Sequence, residues 1–291
     1  MNVVHTIPEC REHRAQLPGT VAFVPTMGAL HVGHLSLIAR AKELAESVVV
    51  SIFVNPTQFG PREDFNKYPR PIMADLEKCK AAGVDLVFNP GPEQMYKPGG
   101  PDIVVDLPSL TTVLEGKHRP GHFKGVCQVV AKLFNIVQPQ AACFGQKDFQ
   151  QFRVLQAMVE ALNWPIQMVA CPTLREKDGL AMSSRNQYLS PDERQRALSI
   201  NRALMLAAGE AKEGVKQTNR LLATMQNVLL DKGTLGRVPV SIDYVAAVDP
   251  VTLKNVEIVT GPTVLAIAAH VAQTRLIDNV VVEPTSESTK S

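Results

Sequence analysis

Between Thr20 and Ala170 the chain alternates two hydrophobic patterns. One is a short run that is apolar on successive positions: Thr20–Pro25 (TVAFVP), Val48–Val54 (VVVSIFV), Asp85–Phe88, Ala141–Phe144 (AACF) and Ile166–Ala170. A strand with one wet face alternates apolar and polar residues, so runs lacking that alternation predict strands buried on both faces. The other pattern recurs every three or four positions. Leu37, Ile38, Ala41, Leu44 and Ala45 show it, as do Asp75–Ala82 and Phe149–Leu162. Val126, Val129, Val130, Leu133, Phe134 and Val137 follow the helical template well. Strands covered on both sides and separated by helices predict a Rossmann-like, doubly wound α/β domain with a parallel sheet. Its ligands are expected outside the carboxyl ends of the strands.

After Leu174 the pattern changes. Pro191–Leu230 reads as two helices broken near Gly214. Val240, Ile242 and Tyr244 alternate with Ser241 and Asp243, and Thr263–Ala269 and Ile277–Val282 read as further strands. The expected organisation is a Rossmann-like domain over residues 1–174 and a smaller α+β domain over residues 175–291. The tail from Pro284 is polar and is expected to fray.

Composition narrows the classes. The 291 residues are 45% hydrophobic, 20% charged and 5% aromatic, which excludes a disordered or fibrous chain. Lys and Arg number 30 against 28 Asp and Glu, so no basic excess points to nucleic acid. The cysteines, Cys10, Cys79, Cys127, Cys143 and Cys171, are scattered without a CxxC. That excludes a zinc ribbon or thioredoxin motif and fits a reduced, cytoplasmic protein. The start, MNVVHTIPECRE, lacks the pattern of a signal peptide. The longest strongly apolar run, Val48–Val54, is far below the roughly 20 residues that span a bilayer, so no membrane partner is expected.

The sharpest chemical feature is Pro25-Thr-Met-Gly-Ala-Leu-His31-Val-Gly33-His34, between a strand and a helix. A helix N-terminus offers free N–H groups and a positive dipole end, which attract anions. Two imidazoles there can bond phosphate oxygens as charge builds in a transition state, and Gly33 admits close backbone approach. The plain alternative is two surface histidines beside a turn glycine. Met182-Ser-Ser-Arg185-Asn186 offers hydroxyls and a guanidinium to phosphates, or is a polar loop before a helix capped by Ser190. Gly145-Gln-Lys147-Asp148 follows strand AACF and suits a phosphate contact, although Asp148 could simply cap the next helix. Gln58, in NPTQF, and Gln151 are neutral amides fit for a small polar substrate. Glu115–Phe123 (EGKHRPGHF) is either a basic lid or the loop leading into the helix from Val126, and Arg175 and Lys177 near MSSRN pose the same choice.

The histidine motif resembles the HIGH signature of the nucleotidyltransferase superfamily. Together, PTMGALHVGH, FVNPTQF, EGKHRPGHF, CFGQKDFQQ, LREKDGLAMSSRNQYLS and RLIDN resemble the pantothenate synthetase (pantoate–β-alanine ligase) family over nearly the whole chain. The resemblance implies a cytoplasmic homodimer with a Rossmann domain that binds nucleotide and pantoate, using ATP and Mg²⁺. It implies that pantoate attacks the ATP α-phosphate, and that β-alanine then attacks the pantoyl adenylate, leaving AMP and pyrophosphate as by-products. By position, Met27, Gly28, Ala29, Leu30, His31, Val32, Gly33 and His34 match an ATP-binding stretch, with His34 as the proton donor. Gly145, Gln146, Lys147 and Asp148 match further ATP contacts, Leu174 a backbone contact to adenine, and Met182, Ser183, Ser184 and Arg185 the triphosphate loop. Gln146 stands where many members carry Glu. Gln58 matches a contact to pantoate and β-alanine, and Gln151 a second contact to pantoate. His31, His34 and Lys147 are the residues expected to stabilise the reacting phosphate. The rival readings are another adenylyltransferase of the superfamily and a nucleotide-binding module without turnover.

Overall fold

The computed structural model describes residues 1–61, 63–231 and 238–284. The polar tail beyond residue 284 lies outside them. The chain divides into two compact units.

The first unit takes residues Met1–Thr112 and Arg119–Leu174. In chain order it holds β1 (Asn2–Val4), α1 (Ile7–Ala15), β2 (Val21–Thr26), α2 (Val32–Leu44), β3 (Ser47–Ile52), α3 (Ile72–Ala81), β4 (Leu86–Phe88) and the short α4 (Pro92–Met95) and α5 (Pro108–Thr111). After α6 (Glu115–His118), which belongs to the second unit, come α7 (His122–Val137), β5 (Ala141–Gly145), α8 (Phe149–Ala161) and β6 (Gln167–Cys171). The six strands form one sheet in the order β1-β4-β3-β2-β5-β6, and every pairing is parallel. Val21 to Val24 and Val48 to Val50 are buried, as strands with helices on both faces must be.

Two elements precede the first strand expected from the sequence. β1 is three residues long and pairs with β4. Helix α1 starts on a Thr6–Glu9 capping box, and its one buried residue is Cys10. From β2 the chain runs outward through β3 to β4, whose far edge β1 already covers, and then crosses to β5 and β6 on the other side, which makes the β2/β5 junction the topological switch point. There the sheet opens. The β2–β3 ladder continues to Thr26 and Ile52, and the β5–β6 ladder to Gly145 and Cys171. Between β2 and β5 only Ala22–Ala141 and Phe23–Ala142 pair, so the carboxyl ends of both strands are unpaired with each other.

The second unit comprises Val113–His118 and the chain from Arg175 onward. It holds α9 (Pro191–Lys212), α10 (Thr218–Leu230) and the antiparallel strands β7 (Val240–Val248), β8 (Thr263–Val271) and β9 (Thr274–Val282) in the order β7-β8-β9. Ile200, Leu204, Leu221, Met225, Leu265 and Ile267 build its core between helices and sheet. Ser190 and Glu193 form a capping box at the start of α9, with Pro191 in the first turn. The buried Arg196 donates to the Leu229 and Asp231 carbonyls, closing the end of α10 with a cation.

The alternation expected across residues 240–244 is broken by a bulge. Ile242 pairs with Ala269 but Tyr244 with Ala268, so Asp243 is the extra residue and Tyr244 leaves the Ile242 face. Ile242 packs in the core. The Tyr244 hydroxyl instead donates to Glu115 at 2.9 Å, and Arg275 holds the same carboxylate at 2.6 and 2.8 Å. Arg275 also donates to Asp243 at 2.7 Å. This network fixes α6 to the unit.

Candidate active site

The strand-to-helix segment of the histidine motif is a tight turn. Gly28 has φ +81 and Ala29 φ +50, two successive left-handed residues. A Cβ on Gly28 would stand 3.0 Å from both Asp75 Oδ2 and Ile52 Cγ2. Such a turn aims successive N–H groups at one point, a nest for an anion. Here the anion is internal. Ala29 N–H and Leu30 N–H donate to Asp75 Oδ2 and Oδ1 at 2.8 and 2.7 Å, and the carboxylate is buried. Lys78, one turn along α3, donates to the Leu30 carbonyl at 2.6 Å. Thr26 donates to the Ser51 carbonyl and accepts from Gly28 N–H. The sequence reading missed Asp75 and Lys78. Any nucleotide contact by Ala29 or Leu30 uses atoms other than these N–H groups.

The two histidines cap α2 reciprocally. His31 is the N-cap, and its Nδ1 accepts from Gly33 N–H at 3.1 Å. His34 Nδ1 accepts from His31 N–H at 3.3 Å. The rings lie 4.1 Å apart, tilted by 35°. A ring nitrogen that accepts from a backbone amide carries no proton, so both neutral rings are held as the Nε2–H tautomer. The capping box thus leaves two Nε2–H donors beside a helix N-terminus. Desolvation pushes the His34 pKa down to about 3, helped by His31 and by the ammonium groups of Lys147 and Lys78. His34 is therefore a neutral donor at physiological pH.

Lys147 sits in a 3₁₀ turn, Gln146–Asp148, that directly follows β5. Its charge reaches His34 across the open β2/β5 junction. Asp148 occupies the N-cap position of α8 but makes no side-chain cap bond. Gln151, on the first turn of α8, is partly buried.

Gln58 is buried in a 3₁₀ turn, Pro56–Gln58, beyond β3. Asn55 Nδ2 donates to Gln58 Oε1 at 3.0 Å, which fixes the amide so that Nε2 faces Met27 Sδ at 3.2 Å. Asn55 is held in turn by the Tyr96 hydroxyl at 2.7 Å. Helix α7 packs against this turn so closely that a Cβ on Gly125 would clash with the Thr57 carbonyl oxygen. The segment containing EGKHRPGHF divides between the units. Glu115 belongs to the second, as described. Arg119, in the first, grips Glu63 at 2.6 and 2.8 Å, and His122 Nδ1 bonds the Gln58 carbonyl at 2.8 Å. These bonds give the stretch a structural role in each unit.

In the first unit Leu174 is exposed. In the second, Ser183 caps a 3₁₀ turn, Ser184–Tyr188, by accepting from Arg185 N–H at 3.2 Å. Just beyond, Asn186 is buried and donates to Glu176 and to the Ala181 carbonyl. Arg194 of α9 binds Glu176 at 2.6 Å and Asp178 at 2.7 Å. Arg175 binds Asp278 at 2.6 Å, so it is an anchor of the loop.

A doubly wound parallel sheet places its ligands outside the carboxyl ends of the strands at the switch point, and the histidine-capped helix starts there. Comparison with known proteins is more specific. The family model described as Pantoate-beta-alanine ligase matches residues 2–281. Pantothenate synthetase of Moorella thermoacetica is 49% identical over 286 residues, 97% of this chain and 99% of that one. That of Pseudothermotoga lettingae is 50% identical over 287 residues, with the same coverage. The crystal structure of pantothenate synthetase from Thermus thermophilus superposes with a TM-score of 0.90 at 44% identity, covering 98% of this chain and 100% of that one. A pantoate–β-alanine ligase from Francisella tularensis, solved with Beta-gamma ATP and β-alanine, gives 0.79 at 31% identity, covering 97% of each chain. The chain belongs to the pantoate–β-alanine ligase family.

Proposed function

We infer that the chain joins pantoate to β-alanine at the expense of ATP, through a pantoyl adenylate, with release of AMP and pyrophosphate. Family membership carries the reaction. The observation that best supports the residue roles is the reciprocal cap, which leaves His31 and His34 as neutral Nε2–H donors beside a helix N-terminus. Charge builds on the α-phosphate as the pantoate carboxylate attacks it. Preorganised donors aimed at that charge lower the barrier, and Lys147 adds a full positive charge. With its pKa near 3, His34 acts by donating a hydrogen bond and keeps its proton. The remaining assignments, Met27–His34 and Gly145–Asp148 for ATP, Leu174 for adenine, and Met182, Ser183, Ser184 and Arg185 for the triphosphate, rest on the resemblance.

Gln58 and Gln151 are assigned to pantoate. The buried Gln58 amide has a fixed orientation, and a buried polar group discriminates against a partner that cannot bond it. The second step positions the β-alanine amine against the activated acyl carbon.

Mg²⁺, bound, neutralises phosphate charge. Among the described residues no group of three or more His, Cys, Asp or Glu side chains could hold a metal. None of the helices among the described residues is long and apolar enough to cross a membrane. A cytoplasmic homodimer completes the proposal. The test is product analysis with ATP, Mg²⁺, pantoate and β-alanine. Pantothenate, AMP and pyrophosphate in equal amounts are expected, whereas pyrophosphate without AMP would indicate a different adenylyltransferase.

A further inference from the structure

We propose that Asp75 and Lys78 of α3 are positioning residues for the first chemical step, acting through the turn that carries His31 and His34. The proposal rests on the reading of residues 27–34 as the nucleotide-binding stretch.

Two successive left-handed residues, one of them the non-glycine Ala29, carry a steric cost at the alanine and need outside support. The support comes from a single face of α3. Asp75 and Lys78 are one helical turn apart and so point the same way. Between them they bond three main-chain groups of two successive residues: Ala29 N–H, Leu30 N–H and Leu30 C=O. Cys79 and Leu76 of the same helix pack in the core that contains Leu30 and Leu37. The next residue after this clamp is His31, whose N–H sets the His34 ring. A shift of the turn therefore moves both rings.

The buried carboxylate also fills the nest that the turn creates. A phosphate is thereby directed to the helix N-terminus and the two Nε2–H groups. Lys78 contributes a second effect. The titratable groups facing His34 are His31 from the cap, Lys147 from the turn after β5 and Lys78 from α3, and the two ammonium groups disfavour the imidazolium. Lys78 thus helps to hold His34 neutral while it bonds the turn.

The test uses the full chain. Asp75→Asn keeps the side-chain size and one acceptor oxygen, but it turns an amide NH₂ toward a backbone N–H. Lys78→Met keeps the stem and removes the ammonium. Three quantities are measured: pantoate-dependent exchange of labelled pyrophosphate into ATP, conversion of preformed pantoyl adenylate by β-alanine, and the ring-¹⁵N titration of His34. Misplacement of reacting groups by about 1 Å costs roughly 10²-fold, and that is the expected fall in exchange turnover for Asp75→Asn. The amine step is expected to stay near the wild-type rate in both variants. Lys78→Met is expected to raise the His34 pKa. The proposal is overturned if the folded variants exchange pyrophosphate as fast as wild type, or if both steps fall together, the mark of a general structural loss. Should Asp75→Asn not fold, Lys78→Met decides by the same measurements. If wild type itself shows no exchange, the functional reading fails. The titration then decides the clamp: an upward shift in Lys78→Met supports it, and an unchanged pKa rejects it.

Discussion

Residues 27–34 and residues 182–185 are the two stretches assigned to the phosphates, and they are built differently. In the first, the backbone itself is bonded: Ala29 and Leu30 to Asp75, Leu30 to Lys78, His31 to His34, Gly33 to His31. In the second, Ser183 caps the turn, while the carboxylate–guanidinium anchors stand outside it, at Arg194 with Glu176 and Asp178 and at Arg175 with Asp278. A segment whose donors are fixed before substrate arrives needs no reorganisation as charge develops. The proposed roles follow the same division, the histidine stretch for the reacting phosphate and the serine stretch for the departing one.

Four substitutions or conditions break or sharpen that contrast. The largest effect is expected from His34→Ala, which removes a fixed donor. Pyrophosphate exchange should fall about 10²–10³-fold with the fold intact by circular dichroism. Unchanged turnover would take His34 out of the mechanism. Arg185→Ala comes next. A charge-assisted hydrogen bond is worth about 1.5–3 kcal/mol, so exchange should slow by roughly one to two orders of magnitude. Amine attack on preformed adenylate should slow less, because the pyrophosphate has already left. Equal slowing of both steps would make Arg185 a structural residue.

Arg194→Ala tests the flank rather than the turn. Its ion pairs are partly exposed, so a stability loss of about 1 kcal/mol is expected in urea unfolding, with only a small change in exchange. An exchange defect as large as that of Arg185→Ala would erase the distinction between anchor and contact. The smallest effect is a slope. His34 has a folded pKa near 3, below the unfolded value near 6.5, so the unfolded state takes up the proton first as pH falls. Its contribution to stability is complete above about pH 6.5 and is lost progressively toward pH 3. His34→Ala should reduce the slope of unfolding free energy against pH in that window. An identical slope in the two proteins would show that the ring is not held neutral.

What could be read from the sequence followed the size of the hydrophobic signal. β2 and β3 are apolar on both faces and stand out, and α7 buries a regular stripe from Val126 to Val137. β1 has three residues, and α1 buries only Cys10, so neither carries a period long enough to recognise. The histidine motif was legible because its residue types and its place after a strand both point to anions. Asp75 and Lys78 were not. Along the chain they are an ordinary charged pair on an amphipathic helix, and their partners lie more than forty residues away. The Glu115–Arg275 pair is hidden for the same reason, and the bulge at Asp243 defeated a simple alternation.

The central claim is that the phosphate chemistry is complete before the amine arrives. The direct measurement is isotope exchange in wild type with ATP, Mg²⁺, pantoate and labelled pyrophosphate, without β-alanine. Label should appear in ATP at a rate sufficient to support overall turnover. A strict requirement of that exchange for β-alanine would contradict the account and put a concerted three-substrate reaction in its place.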